Sequence, residues 1–377
     1  MSGPQFADMR IKRLSCCFLA ALVGLALNAI AAIDDATYRR VNESLVQHHI
    51  LPRYARLAEA SEGLQRAATS FCAAPNTAGL EALKAAFVKT SDAWQDIQHV
   101  RFGPVELFMR SQRIDFWPDP RDTAGRHLAE LLARGEALDV QALSRGSVAV
   151  QGLPALEHLL YDAGASEALL AGDAGAKTRC GMIIAITQNI AGMSADIARE
   201  WSAGAAAFAA AIASAGQPGA RFATAKDATQ ALLSCLNTAV ELIAERKLPP
   251  VLGKSADAAQ PALAESWRSG RSLDNIRRNL EAAQAMYLGE SGSEGLSALV
   301  VTAGDKKLDD LLRRAFQQTI ATAQSINGPL GDAVRDPARR PAVEKLARET
   351  KALRTLIAQR LTAAIDVALG FNSMDGD

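Results

Sequence analysis

Aromatic residues are scarce in this chain, at 5% of 377 positions, while apolar residues reach 49% and alanine recurs throughout. Runs of β-branched residues with alternating polarity are missing as well. That removes the usual material of sheets and leaves that of close-packed helices. Neither sign of charge is in excess, since 41 basic residues face 41 acidic ones. A nucleic-acid partner is thereby excluded, because such proteins carry a basic patch or stripe. Histidine is rare, five in all, and neither His-Glu-x-x-His nor a paired-cysteine spacing occurs, so the common zinc signatures are absent.

One long apolar run is present, and it lies at the start. Arg10, Lys12 and Arg13 precede a stretch from Cys16 through Ala32, and Ala29-Ile30-Ala31 sets small residues at the −3 and −1 positions of a cleavage site. This is the build of a secretory signal peptide over residues 1–31. An uncleaved membrane anchor is the competing reading, since the run approaches the length of a spanning helix. Asn28 and the small-residue end favour cleavage. Removal takes away three basic residues and one acidic residue, leaving 38 against 40. The protein is therefore expected to be periplasmic or secreted. Cys72, Cys180 and Cys235 remain in the mature chain, and an oxidising compartment lets two of them join. Cys72 ends one helical segment and Cys180 begins another, which suits a disulfide between helices; Cys235, inside an apolar helix, reads as a core thiol.

The rest of the chain spaces its apolar positions three and four apart. Leu80, Leu83, Phe87, Trp94 and Ile97 form one stripe, and Ile183, Ile186, Ile190, Met193 and Ile197 another. Leu233, Leu236, Val240 and Ile243 make a third, and Leu353, Ile357, Leu361 and Ile365 a last one. The chain reads as all-α. Long helices are expected over 35–61, 77–101, 123–161 (broken) and 180–201, then over 222–247, 262–289, 305–326 and 342–369. Two tandem four-helix bundles, over 34–204 and 221–371, are the simplest architecture for that order. Residues 203–220, rich in Ala, Gly and Ser around Gln217-Pro218-Gly219, read as the linker, and Gly289–Gly304 and Asn327–Pro341 as loops.

Three places do not suit a plain bundle. Four residues beyond Ile97 the stripe lands on Arg101, a permanent charge at the rim of a core face, and Phe102-Gly103-Pro104 then stops the helix. A buried guanidinium needs a partner; the alternative is a helix C-cap that the dipole favours. Next, Arg113-Ile114-Asp115-Phe116-Trp117-Pro118-Asp119-Pro120 sets two prolines and two aromatics in one ordered loop. Such a loop builds a binding site or serves as a lid over the bundle end. In the third, Gly152-Leu153-Pro154-Ala155-Leu156-Glu157-His158, Pro154 suits a first helical turn and Glu157 stands one step from the apolar stripe, where an acid also answers the dipole. His48-His49 reads as a solvated pair. His127 and Glu130 share a helix face that would hold a weak ion, although two ligands are few for a divalent site.

Taken in order, these pieces resemble the imelysin family: Trp94, then Arg101-Phe102-Gly103-Pro104, then Arg113 with Phe116-Trp117-Pro118-Asp119, then Gly152-x-x-x-Leu156-Glu157-x-Leu159-Leu160-Tyr161. Lys247-Leu248 before Gly253, and Ser269-x-x-Ser272-Leu273-x-Asn275-Ile276 before Asn279-Leu280, are similar to its second half, so the likeness spans about 34–370. The resemblance implies an exported bacterial protein of two helical bundles with a site near their junction. Many members are iron-regulated; some are described as metallopeptidases and others as iron-uptake components. The family motif is Gly-x-His-x-x-Glu, its His and Glu being the proposed metal ligands. Here Pro154 stands where the histidine belongs, and His158 points about a quarter turn away from Glu157, which leaves Glu157 as the metal candidate.

What the resemblance implies for this sequence is a ligand-binding set of Trp94, Arg101, Gly103, Arg113, Trp117, Asp119, Gly152 and Glu157. The arginines would hold anionic groups, and Glu157 would pair with Arg101 or keep part of a metal's affinity. The leading expectation is a periplasmic binding or accessory component of iron, iron-chelate or haem uptake, working with a membrane-associated uptake system. Its ligand would be iron, an iron chelate or another small molecule, with iron or another divalent metal as the sole cofactor considered. A metallopeptidase is the second expectation, opposed by the missing histidine. A structural or interaction module without a small ligand is the third.

Overall fold

Asp34 opens the first helix: its carboxylate accepts the backbone N–H of Thr37 at 2.8 Å, as an N-cap does. From there α1 (Asp35–Leu45), a π turn (Val46–Ile50) and α2 (Leu51–Ala73) follow one another without a break. The computed structural model describes, besides Met1, residues 32–135, 139–204 and 207–370, and the expected signal peptide lies outside the described residues. Within the described residues the chain is all-α, with no strand, and no helix is long and apolar enough to cross a membrane.

α2 packs against α3 (Thr77–Gln95) and α5 (Ala174–Ser202), with the short α4 (Leu153–Tyr161) lying against α3 and α5. The stripes read from the sequence are buried here: Leu80, Leu83, Phe87, Ile183, Ile186 and Ile190 are almost wholly enclosed. Cys72 and Cys180 join α2 to α5 as a disulfide across 108 residues of sequence, and Cys235 is a buried free thiol. In the chain-entropy account a loop of that length destabilises the unfolded state by about 4–5 kcal/mol.

The second set of helices is α6 (Ala225–Glu241), α7 (Ser272–Leu288), α8 (Lys306–Ser325) and α9 (Arg340–Thr355), with α6 and α8 each packed against both α7 and α9. Thr224 and Asp227 close a capping box at the start of α6. α1 docks on α6; Asn42 donates to the Ala225 carbonyl at 2.8 Å and accepts from the Thr229 hydroxyl at 2.8 Å. The main core is accordingly continuous between the two sets, taking in Leu57, Ile186, Leu236 and Phe316. A smaller one, with Ile243, Ile276 and Val343, fills the far end of the second set.

Several expectations are corrected. The helix expected over 77–101 ends at Gln95, because Ile97 and Gln98 both donate to the Trp94 carbonyl and tighten the chain into turns, so Arg101 leaves the stripe. The one expected from 262 begins at Ser272: Ser266 and Gly270 stand at φ 52° and 73°, left-handed values that break a right-handed helix. Residues 203–220 are more than a linker, since Phe208–Ala213 is helical and the Phe208 ring packs on Trp201 and Phe102 at 4.9 and 5.6 Å. Gly289–Gly304 and Asn327–Pro341 carry the short helices Ser297–Thr302 and Leu330–Ala333. His48-His49 is not a solvated pair. The π turn adds a residue to the coil, and His49 is 1% exposed with its Nε2 2.9 Å from His99 Nε2, while His48 faces solvent.

Candidate functional site

Pro154 lies in the first turn of α4, where its missing N–H leaves nothing unsatisfied. Gly152 lets that end of the helix press against the 113–114 backbone; a Cβ there would stand 2.2 Å from the Ile114 carbonyl oxygen. Glu157 and His158 are thus carried to the loop 115–122. Where this loop, the start of α4 and the irregular stretch 261–268 meet, they enclose a cavity of about 480 Å³. Phe87, Phe116, Trp117, Pro154, Leu263 and Trp267 supply its apolar wall.

Glu157 is 5% exposed, and its Oε1 accepts the backbone N–H of Ser269 at 2.8 Å and the Ser269 hydroxyl at 2.5 Å. Burial raises its carboxyl above the ordinary range, with the Ser269 bonds working against that rise. His158 lies between Asp162, 2.8 Å from Nδ1, and Asp122, 3.1 Å from Nε2. Arg268 bridges the same two carboxylates at 2.7 and 3.0 Å, its guanidinium 4.5 Å from the Trp267 ring centre. Asp119 accepts the Ala124 N–H at 2.8 Å. Partial burial opposes ionisation there but is outweighed by hydrogen bonds from Ala124 and Thr123, which hold the carboxyl below the usual range.

The floor is built differently. Lys247, 2% exposed, comes from the π turn Leu242–Lys247 that follows α6. Its ammonium donates to Glu265 Oε2 at 2.7 Å, Gln95 Oε1 at 2.9 Å and Asn279 Oδ1 at 2.7 Å. It also stands 5.8 Å from the Trp117 ring centre. Asn275 donates a further bond to Glu265 Oε2 at 2.8 Å, whereas Glu265 Oε1 is buried without a partner. Asp115 accepts the Trp94 indole N–H at 2.8 Å through Oδ2. Burial, and then the charge of Glu265, push its carboxyl up to about 7.

Of the residues expected from sequence, Trp117, Asp119 and Glu157 line the cavity, and Trp94 stands behind it through Asp115. The others do not. Arg101 donates from Nε to the Gln98 carbonyl at 2.8 Å. The Glu157–Arg101 pair is therefore not formed; Ser269 takes that place because the chain turns away before Arg101. Gly103, at φ 76°, turns the chain beside the Phe208 ring. Arg113 is held by Gln151 at 2.7 Å and by Asn189 of α5 at 3.0 Å, which ties the loop to the bundle. Sequence reasoning missed Lys247, Glu265, Ser269 and Arg268 as site residues. Lys247 and Ser269 had entered only as pieces of the resemblance, Lys247 with the further signal of a lysine four places beyond Ile243 on an apolar stripe; Glu265 and Arg268 left none.

The metal that the family motif implies is not matched by these side chains. Pro154 offers no donor, Glu157 is engaged by Ser269, and both nitrogens of His158 face aspartates. His127 contacts the Ser147 hydroxyl at 2.9 Å. Among the described residues no group of three His, Cys, Asp or Glu is arranged to hold an ion.

Comparison with known proteins places this geometry in context. The family model described as imelysin matches residues 50–359. Iron-regulated protein A of Synechococcus elongatus (strain ATCC 33912 / PCC 7942 / FACHB-805) is 23% identical over 313 residues, which is 82% of this chain and 80% of that protein. Among solved structures, an imelysin-like protein from Psychrobacter arcticum 273-4 superposes with a TM-score of 0.72 at 22% identity, covering 90% of this chain and 98% of the other. A protein assigned as an iron-regulated protein A precursor, from Parabacteroides distasonis ATCC 8503, gives 0.69 at 16% identity, covering 87% and 95%. At those identities the two structures speak for the fold.

Proposed function

The chain belongs to the imelysin family, and on that premise we propose that it is an exported binding or accessory protein of iron uptake whose cavity takes a small organic ligand, such as an iron chelate. The observation that carries this reading is the convergence at one cavity of three segments far apart in sequence, 115–122, 153–158 and 261–268. A space of about 480 Å³, apolar-walled with a few directed polar groups, is of the size and make-up of small-molecule sites. The iron link is supported by the names of the relatives, iron-regulated protein A among them. An organic chelate suits the cavity better than a bare ion, because the donors for an ion are not gathered. The same shortage opposes a metallopeptidase, whose metal needs three protein ligands and an open position.

Export rests on the N-terminal pattern, with cleavage after Ala31. N-terminal sequencing of the protein from its native compartment is expected to start at Ala32; a chain beginning at Met1 would contradict it. We divide the mature chain at 203–220, into 34–204 and 221–371, with α1 reaching across. One observation favours a second reading, an interaction module without a ligand: Glu157 ties α4 to the segment before α7 through Ser269.

Titration of the mature protein with two ferric chelates, ferric citrate and one that carries a free amine, followed by tryptophan fluorescence, separates the two readings. Saturable binding at micromolar concentration is expected, and its absence would count against a binding role. Trp117→Ala and Glu157→Ala refine the outcome. Lost binding with unchanged melting marks a site, and lowered melting with unchanged binding marks a structural tie.

A further inference from the structure

We propose that the ligand enters this cavity head first with a protonated amine or guanidinium, which meets Asp115 and Glu265 on the floor; this deepens the binding reading above and rests on it. The starting point is a mismatch between acceptors and donors. Glu265 is 4% exposed and lines the cavity, and its Oε1 has no hydrogen-bond partner, although Lys247 and Asn275 both serve Oε2. Asp115 lines the cavity too, and the Trp94 indole serves its Oδ2 alone. Lys247 cannot supply what is missing, since its three N–H groups already point at Gln95, Glu265 Oε2 and Asn279. One buried carboxylate oxygen, Glu265 Oε1, is left for a donor from outside, with the half-buried Asp115 carboxyl beside it on the same cavity wall. A buried acceptor without a partner is costly, and a charged donor satisfies it best.

The surroundings have the matching sign. Carboxylates outnumber guanidiniums on the cavity wall: Asp115, Asp119, Asp122, Glu157 and Glu265 against Arg246 and Arg268. Arg268 is bound to Asp122 and Asp162 at the mouth. The Trp117 ring already faces one ammonium, that of Lys247, and with Phe116 and Phe87 it offers further aromatic surface to a cation and its methylene stem. The raised Asp115 carboxyl fits as well: burial first, and then the charge of Glu265, hold a proton there against the opposing pull of the Trp94 bond, Lys247 and Arg101, and an arriving cation displaces it. Binding of the amine therefore releases a proton, and affinity strengthens as pH rises from about 6 to 8.

The test uses the full mature chain and two probes of the same shape, phenethylamine and 2-phenylethanol, titrated calorimetrically in buffers of different ionisation enthalpy. Phenethylamine is expected to saturate at about millimolar concentration, at least about tenfold tighter than the alcohol, and to release protons at pH 6.5. Glu265→Gln and Asp115→Asn are each expected to weaken it by about tenfold. Because Glu265→Gln removes the partner of Lys247 and can unfold the protein, Asp115→Asn, with an unchanged circular dichroism spectrum, decides if the first variant fails. Equal binding of the two probes overturns the proposal, as does saturation by calcium alone without competition from the amine. If phenethylamine does not bind and ferric citrate does, the amine head is wrong and the binding reading stands. If neither binds, both fall.

Discussion

The His49–His99 pair and the Asp115–Glu265 floor are both ionisable pairs drawn out of water, and they are built in opposite ways. The two imidazoles are each other's partner, Nε2 to Nε2 at 2.9 Å. Burial first, and then the charge of Arg53, push both below their ordinary range, His99 to about 3, so they stay neutral. Neither Nδ1 makes a hydrogen bond, that of His49 standing 3.8 Å from Glu290 Oε1, a far smaller penalty for a neutral ring than for a carboxylate. On the floor, Glu265 is tied to Lys247 through Oε2, while Oε1 has no donor. Asp115 is pushed up by burial and by that neighbour. Burial alone does not separate a structural cluster from a binding one. What separates them is charge: the unbonded nitrogens belong to neutral rings, whereas the unbonded Glu265 oxygen belongs to a group paired with a buried ammonium.

The comparison breaks most sharply at Lys247. Lys247→Met leaves the Glu265 carboxylate buried and uncompensated, and is expected to lower stability by about 3–5 kcal/mol in urea unfolding. A loss below about 1 kcal/mol would mean that the ion pair is not the keystone of the floor.

Next come the two pH limbs, which should run in opposite directions. An unfolded histidine titrates near 6.5, while the folded rings take up a proton only at lower pH, His99 near 3. Below about 6.5 the unfolded state binds more protons, so stability falls on acidification. His99→Gln is expected to flatten that limb in melts between about pH 6.5 and 4. Asp115 acts in the reverse sense. Its carboxyl holds a proton up to about 7 in the folded chain but only to about 3.9 when unfolded. The native state therefore binds the extra proton between those values, and stability falls as pH rises through them. Asp115→Asn should flatten this second limb and leave the first untouched. If either variant removed both limbs, the clusters would be one coupled system.

The smallest effect is expected at Ser269. Ser269→Ala removes the hydroxyl donor to Glu157 while the backbone N–H stays, so the loss should be about 1 kcal/mol in thermal unfolding. A loss above about 3 kcal/mol would place Glu157 among the charges that depend wholly on their partners.

The all-α fold was legible because its helices are amphipathic. The expected 305–326 is the observed Lys306–Ser325, and 222–247 contains α6 with its π turn. The cavity was half legible. Trp117, Asp119 and Glu157 sit on short local patterns whose order carried the resemblance. Arg101 was misplaced by extending a periodic stripe past the point where the helix stops. The π turns were invisible, since one added residue hardly disturbs a three-four spacing, yet they hold His49 and Lys247. Glu265 and Arg268 come from irregular backbone between Pro261 and Ser272, where no periodicity announces which side chain points inward.

The unbroken course of α1, π turn and α2 also bears on how anything gets in and out. Its first stretch docks on α6 and its last on α3 and α5, so a single rod is bolted to both helical sets. Jaw-like swinging of the sets would have to bend that rod. On the proposed binding role, passage through the cavity mouth would fall to the proline-stiffened strap 115–122 and the irregular stretch 261–271, a doorway opening by its frame and not by its hinges.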